Sequence, residues 1–217
     1  MDEYLIPTRE AHPEFTERRS RFIGHIFPVE TEEEALAQLK KMREKHWNAT
    51  HNVYAYIIKD GPTRYSDDGE PQGTAGMPVL EVLHREGLNN ILCVVTRYFG
   101  GILLGAGGLV RAYAKSAKLG VDAAGISMKR VWENVAVPCA YNQFERLRGE
   151  VTAFDGMVVD VEYGADVTIH AILPQPRTQE FLARVVDVSN GRTEGIVLGQ
   201  EYRAFPVKEP VERTEDA

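Results

Sequence analysis

Apolar residues fall in short blocks along this chain, and their spacing changes from block to block. Residues 4–7 and 21–29 are apolar runs that predict two strands, the second the longer. Over 32–45 the apolar positions Leu36, Leu39 and Met42 recur at helical spacing. Thr31 is placed to cap that helix, with Glu32, Glu33 and Glu34 in its first turn and Lys40, Lys41, Arg43 and Lys45 towards its end. This charge order complements the helix dipole. A strand over 53–58 ends in the turn Lys59-Asp60-Gly61-Pro62, and residues 63–76 are polar and turn-rich. A short helix is predicted over 78–84, ending near Gly87. The continuous β-branched run 91–98 predicts a strand covered on both faces. A glycine-rich segment follows, then a helix over 109–119 that Gly120 should stop.

The second half predicts strand 131–140, helix 143–154, a hairpin of 158–163 and 167–173 around Gly164-Ala165-Asp166, helix 178–189 and strand 195–203. Phe181, Leu182, Val185 and Val186 give the second helix its inward face. The order βαββαβ fits a ferredoxin-like domain. The expected class is therefore α+β with two domains, 1–128 and 131–207, joined near 126–131, and with a loose charged tail over 208–217.

A length of 217 residues allows two domains, and a hydrophobic fraction of 43% excludes a largely disordered chain. The net charge of −7 is unevenly spread. Residues 1–130 hold 17 Lys+Arg and 17 Asp+Glu, whereas residues 131–217 hold 8 and 15. If a polyphosphate binds, the first half must supply the basic face. Cys93 and Cys139 sit in apolar runs and read as free packed thiols, with no CxxC pair. The opening residues lack a signal-peptide pattern, and no apolar run reaches the ~18 residues of a membrane span. A cytoplasmic protein without membrane contact is expected.

Two segments carry candidate chemistry. Residues 96–113 run strand, glycine-rich loop, helix, with Gly100, Gly101, Gly105, Gly107 and Gly108 in the loop and helix start. Glycines let a backbone approach a ligand, and a helix start offers unpaired amides to an anion. Arg97, Arg111 and Lys115 are the matching cations, with Lys118 continuing the stripe. The same glycines also suit tight turning and close helix–sheet packing. Neither a P-loop nor a dinucleotide fingerprint is present, and no cofactor is expected.

The second segment, 65–78, holds Asp67, Asp68 and Glu70. It reads as a structural turn, as a partner-contact surface, or, with His51 as the base partner of Asp67 or Asp68, as acid–base machinery. No metal-ligand set has the right spacing, and no nucleophile elbow occurs. Trp47 and Trp132 read as core or interface aromatics. Tyr98, Phe99 and Tyr113 bracket the basic helix, where they either stack on bases or pack in the core.

Arg19-Ser20-Arg21-Phe22-Ile23, Ala49-Thr50-His51-Asn52, Ser66-Asp67-Asp68-Gly69-Glu70-Pro71, Gly73-Thr74-Ala75-Gly76 and the run from Val95 to Tyr113 together resemble the signature of the IMPACT family. The match spans roughly residues 3–125, and the remainder resembles the C-terminal domain of bacterial, YigZ-type members. Met77 departs from the basic residue often found at its place. The resemblance implies an N-terminal two-layer α/β sandwich like a ribosomal-protein and elongation-factor domain. It also implies a ferredoxin-like C-terminal domain similar to the last domain of the translocation elongation factor. Eukaryotic members regulate translation by binding an activator of the kinase that phosphorylates an initiation factor. What carries over is a non-enzymatic binding protein linked to translation, with the ribosome, RNA or a translation protein as partner and no assigned catalytic residues. On that reading Arg97, the five glycines, Arg111 and Lys115 bind an anion or nucleic acid, and His51, Asp67, Asp68 and Glu70 contact a partner. The alternative is a small hydrolase of a phosphorylated ligand, with His51 and Asp67 or Asp68 as acid and base.

Overall fold

The computed structural model describes residues 3–211. They form two compact units: Tyr4–Met128 together with the stretch from Ala204 onward, and Lys129–Arg203 together with Glu3. The first unit carries β1 (Tyr4–Pro7), β2 (Glu14–Glu17), β3 (Ser20–Pro28), α1 (Glu32–Lys45), β4 (His51–Ile57) and β5 (Thr63–Ser66). It continues with α2 (Gly76–Arg85), β6 (Ile91–Tyr98) and α3 (Ala106–Ala124). Thr31 caps α1 as expected, accepting the Glu34 amide on its side chain.

Strands β2-β3-β6-β4-β5 form one antiparallel sheet in that order. Alternation along β6 divides the core. Ile91, Cys93 and Val95 join Val53 and Ala55 under α2 and α3, against Leu83, Tyr113 and Ala117. Leu92 and Val94 join Phe27 and Tyr56 under α1, against Ala35, Leu39 and Met42. The unbroken apolar run of β6 follows from this burial on both faces. The two-layer sandwich expected for this half accounts for the sheet and the α2–α3 layer, and α1 makes a third layer on the opposite face.

The edge strands β2 and β5 were not legible, since four mostly exposed residues carry too little alternation to separate a strand from a turn. Helix α3 does not stop at Gly120 but runs on to Ala124, with Gly125 at φ 70 beyond it. Gly120 instead permits close packing: a Cβ there would lie 2.8 Å from Cγ1 of Ile26. Across the contact, a Cβ on Gly24 would come within 2.5 Å of the Ser116 carbonyl oxygen. Gly24→Val is therefore expected to lift α3 from β3 at a cost of about 3 kcal/mol or more, by overpacking on a rigid backbone. Urea denaturation checks this, and an unchanged midpoint would show that the helix shifts freely.

The second unit contains the main part of β7 (Ile126–Cys139), then α4 (Phe144–Ala153), β8 (Met157–Tyr163), β9 (Val167–Pro174), α5 (Gln175–Val188) and most of β10 (Ile196–Lys208). The βαββαβ order is the expected one. Its strands lie in the order β10-β7-β9-β8. Leu147, Val151, Phe181 and Val185 from the two helices pack on Val135, Val137, Ile169 and Leu173.

The loose tail expected over 208–217 is corrected for its first residues. Lys208 Nζ lies 2.6 Å from Asp122 Oδ1, and the Val211 amide donates to the Asp122 carbonyl. Residues 212–217 lie outside the described residues. Cys93 and Cys139 are buried free thiols. Among the described residues no helix is long and apolar enough to cross a membrane.

Candidate functional site

The signature segments converge at one end of the first sheet. Phe22, Arg97 and His51 stand in register across β3, β6 and β4, on the face that α2 and α3 cover. The Arg97 guanidinium lies over Phe22 and over Phe99, 5.5 Å from each ring centre. Its Nη1 donates to Glu70 Oε1 at 2.6 Å, and the Tyr113 hydroxyl donates to the same oxygen at 2.6 Å. Burial, and then the hydrogen bond to Glu70, push the Tyr113 hydroxyl far above the ordinary tyrosine range. Arg97 is 5% exposed and Glu70 8%. Two expectations are thereby corrected: Arg97 is not part of an anion-facing surface, and Glu70 is not an exposed partner contact. Each neutralises the other inside the unit.

The acidic turn has an internal purpose as well. Asp67 Oδ1 accepts the amides of Ala75 and Gly76 at 3.1 and 2.8 Å, and its Oδ2 accepts the Gly73 amide at 2.8 Å. It thus satisfies donors at the start of α2. Asp68 Oδ2 accepts the Asn52 amide at 2.7 Å, and its Oδ1 faces Arg43 at 3.3 Å. His51 Nδ1 lies 2.7 Å from the Asp68 carbonyl oxygen. Since a carbonyl only accepts, Nδ1 carries a proton, and Nε2 faces Glu70 Oε2 at 3.7 Å. His51 and Asp68 are neighbours, but neither the Asp67 nor the Asp68 carboxylate meets the imidazole.

The glycine loop divides into two parts. Gly100 is a packing glycine: a Cβ there would overlap the Arg19 carbonyl, and its amide donates to Ser20 Oγ at 3.3 Å. Gly101 and Gly105 have φ of 84 and 73, a left-handed backbone that glycine adopts freely. Gly105 caps α3 with no side-chain hydrogen bond to its first turn. Arg111 reaches back towards that turn, with Nη1 3.6 Å from where a Cβ on Gly107 would stand. Beside it opens a cavity of about 260 Å³, with Gly108 in its wall. Arg18, Arg111, Lys115 and Glu17 supply its charges, and Phe15 and Leu104 its apolar surface. The Lys115 ammonium sits 4.4 Å from the Phe15 ring centre, and Phe15 stacks on Phe22. Lys118, next in the stripe, is committed to Asp122 and Glu86 at 2.6 and 3.0 Å.

Arg18 was missed in the sequence. It and Arg19 form the two-residue turn between Glu17 and Ser20, both left-handed, with φ of 44 and 64. Asn-Gly is the favoured pair in such a turn, and each arginine held there costs roughly 1–2 kcal/mol. A hairpin at Glu17-Arg18-Arg19-Ser20 carries no glycine or asparagine to announce it. Trp47, expected in a core or interface, is 82% exposed in the turn after α1, whereas Trp132 is buried.

The α1 face holds a second polar group that the sequence did not flag. Thr96 donates to Asn52 Oδ1 at 2.8 Å, so its oxygen is left to accept from His25 Nε2 at 3.2 Å. His25 Nδ1 then accepts from His12 Nδ1 at 3.1 Å. His46, whose Nδ1 bonds the Tyr98 hydroxyl, stands with its ring centre 5.0 Å from that of His25. Burial, then the charges of His12, His46 and Lys45, depress His25 to about 3. Among the described residues no group of three His, Cys, Asp or Glu has metal-holding geometry.

Comparison with known proteins agrees with this architecture. Residues 18–121 match the Impact N-terminal domain, and residues 137–192 match a domain of unknown function (DUF1949). The chain is 35% identical over 196 residues to the IMPACT family member YvyE of Bacillus subtilis, covering 89% of this chain and 90% of that one. It is 33% identical over 202 residues to the IMPACT family member YigZ of Escherichia coli, covering 91% and 99%. Protein IMPACT of Mus musculus is 40% identical over 110 residues, 48% of this chain and 34% of that protein. A crystal structure of a hypothetical protein superposes with a TM-score of 0.58 at 32% identity, covering 92% of this chain and 98% of that one. Matches that take in both domains over nine-tenths of the chain place it in the IMPACT family.

Proposed function

We propose that this is a non-enzymatic, cytoplasmic binding protein of translation regulation, which contacts RNA, including that of the ribosome, through its N-terminal unit. The observation that carries the reading is the cavity beside α3. Arg111 and Lys115, both exposed, line it without an ion pair to any described carboxylate, whereas the buried Arg97 is matched by Glu70. Cations without a carboxylate partner suit phosphate oxygens. The exposed Trp47 and the half-exposed Phe99 add surfaces on which bases stack. The hydrolase alternative loses support because the Asp67 and Asp68 carboxylates are held by amides and by Arg43.

Filter binding of single-stranded RNA over a salt series tests the proposal. Affinity should fall steeply with salt. Arg111→Ala combined with Lys115→Ala should weaken binding roughly tenfold or more and reduce the slope of log K against log salt by about 1.4. Binding that ignores salt, or that survives the double substitution, rejects the cavity as the contact.

A further inference from the structure

The charges of the cavity select more narrowly than a basic groove would. Arg18, Arg111 and Lys115 face one carboxylate, Glu17, which leaves a surplus of two positive charges. An internal phosphodiester offers a single negative charge, whereas a phosphomonoester carries about 1.5 to 2 at pH 7. The size fits. At about 260 Å³ the space is ample for a phosphoryl group and small beside the roughly 300–1,000 Å³ of whole small-molecule sites.

The β2–β3 turn supplies the third cation. Arg18 and Arg19 occupy left-handed backbone that favours Asn-Gly, and Arg18 Nη1 holds the Leu103 carbonyl at 3.4 Å, beside the cavity. The two-residue hairpin imposes that backbone, and it fixes Arg18 at the wall of the recess. The Phe15 ring is already engaged by Lys115 and Phe22, so charge rather than base stacking is what the recess offers.

We propose that the cavity is a phosphomonoester site which, resting on the RNA reading above, receives the terminal phosphate of an RNA strand. The same chemistry admits a free nucleoside monophosphate, and the arms of the test separate the two sources.

The full-length chain is titrated with one ten-nucleotide RNA in three forms: phosphorylated at the 5′ end, phosphorylated at the 3′ end, and hydroxyl at both ends. Adenosine monophosphate and adenosine serve as competitors. One phosphorylated form should bind about tenfold or more tightly than the hydroxyl form, the worth of an added charge-assisted hydrogen bond. Adenosine monophosphate should compete where adenosine does not. Arg111→Gln should remove the preference. Arg18→Asn with Arg19→Gly restores a favoured turn, so its Tm should be equal or higher while the preference drops, which separates lost recognition from lost folding. Equal, salt-sensitive affinity for all three RNAs overturns the terminal-phosphate site and leaves the RNA reading standing. Binding of adenosine monophosphate without any RNA binding does the reverse. A double turn variant that discriminates as the parent does also overturns the inference.

Discussion

Replacing Glu70 with glutamine is expected to destabilise the N-terminal unit by about 3–5 kcal/mol, the cost of leaving a buried charge without its counterion. The charge in question is the Arg97 guanidinium, whose Nη1 sits 2.6 Å from Glu70 Oε1 and whose Nε already lacks an acceptor. Glutamine keeps the size of the side chain and one oxygen, so the loss measures charge and not volume. Tyr113→Phe removes only one hydrogen bond to a charged group and should cost about 1.5–3 kcal/mol. Glu70→Gln combined with Arg97→Met should cost clearly less than the sum of the single changes, because no uncompensated ion then remains. Urea unfolding of the parent, the three single variants (Arg97→Met among them) and the double variant supplies all the numbers. If Glu70→Gln costs under about 1 kcal/mol, the pair does not hold these three segments together.

Mild acid should unfold the same unit by a separate route. Folded His25 resists protonation down to about 3, whereas the unfolded chain takes up the proton at the ordinary 6.5. Stability is therefore complete above pH 6.5 and falls as pH drops, by about 1.4 kcal/mol per unit for this one proton, reaching roughly 4–5 kcal/mol across the window. The geometry explains the resistance. Nε2 already donates to Thr96, so the added proton must sit on Nδ1, where it would face the donor of His12. Burial also depresses His12 and His46, so their contributions have the same sign. His25→Leu should be less stable than the parent at pH 7.5 yet lose about 1 kcal/mol less between pH 6.5 and 5.5, where the unfolded imidazole goes from half to nearly full protonation. Parallel pH profiles for the two proteins would remove His25 as the source.

The strands with strong alternation or unbroken apolar runs were legible from the amino acids, because burial leaves a periodic trace. So was the order of the second half. Positions set by distant partners were not. Gly120 looks like a helix stop and is a packing contact with Ile26, which only the folded chain reveals. Arg97 and Glu70 look like surface chemistry because each is charged, and 26 intervening residues hide their pairing. Arg111 and Lys115 were identified from their spacing, but their companion Arg18 was not, since a left-handed arginine has no signature in a single sequence.

The first unit is completed by residues made late. Its strand from Ala204 and the anchor Lys208 follow the whole of Lys129–Arg203 in the chain. At roughly 5–20 residues per second, a nascent chain spends about 4–15 s between finishing Met128 and reaching Ala204. Through that interval Asp122 has Lys118 but not Lys208, and Gly125 lacks the cover of Pro210. Vectorial synthesis thus leaves the first unit ajar until the other has emerged, a window in which newly made protein is more open to chaperones and proteases than the finished chain.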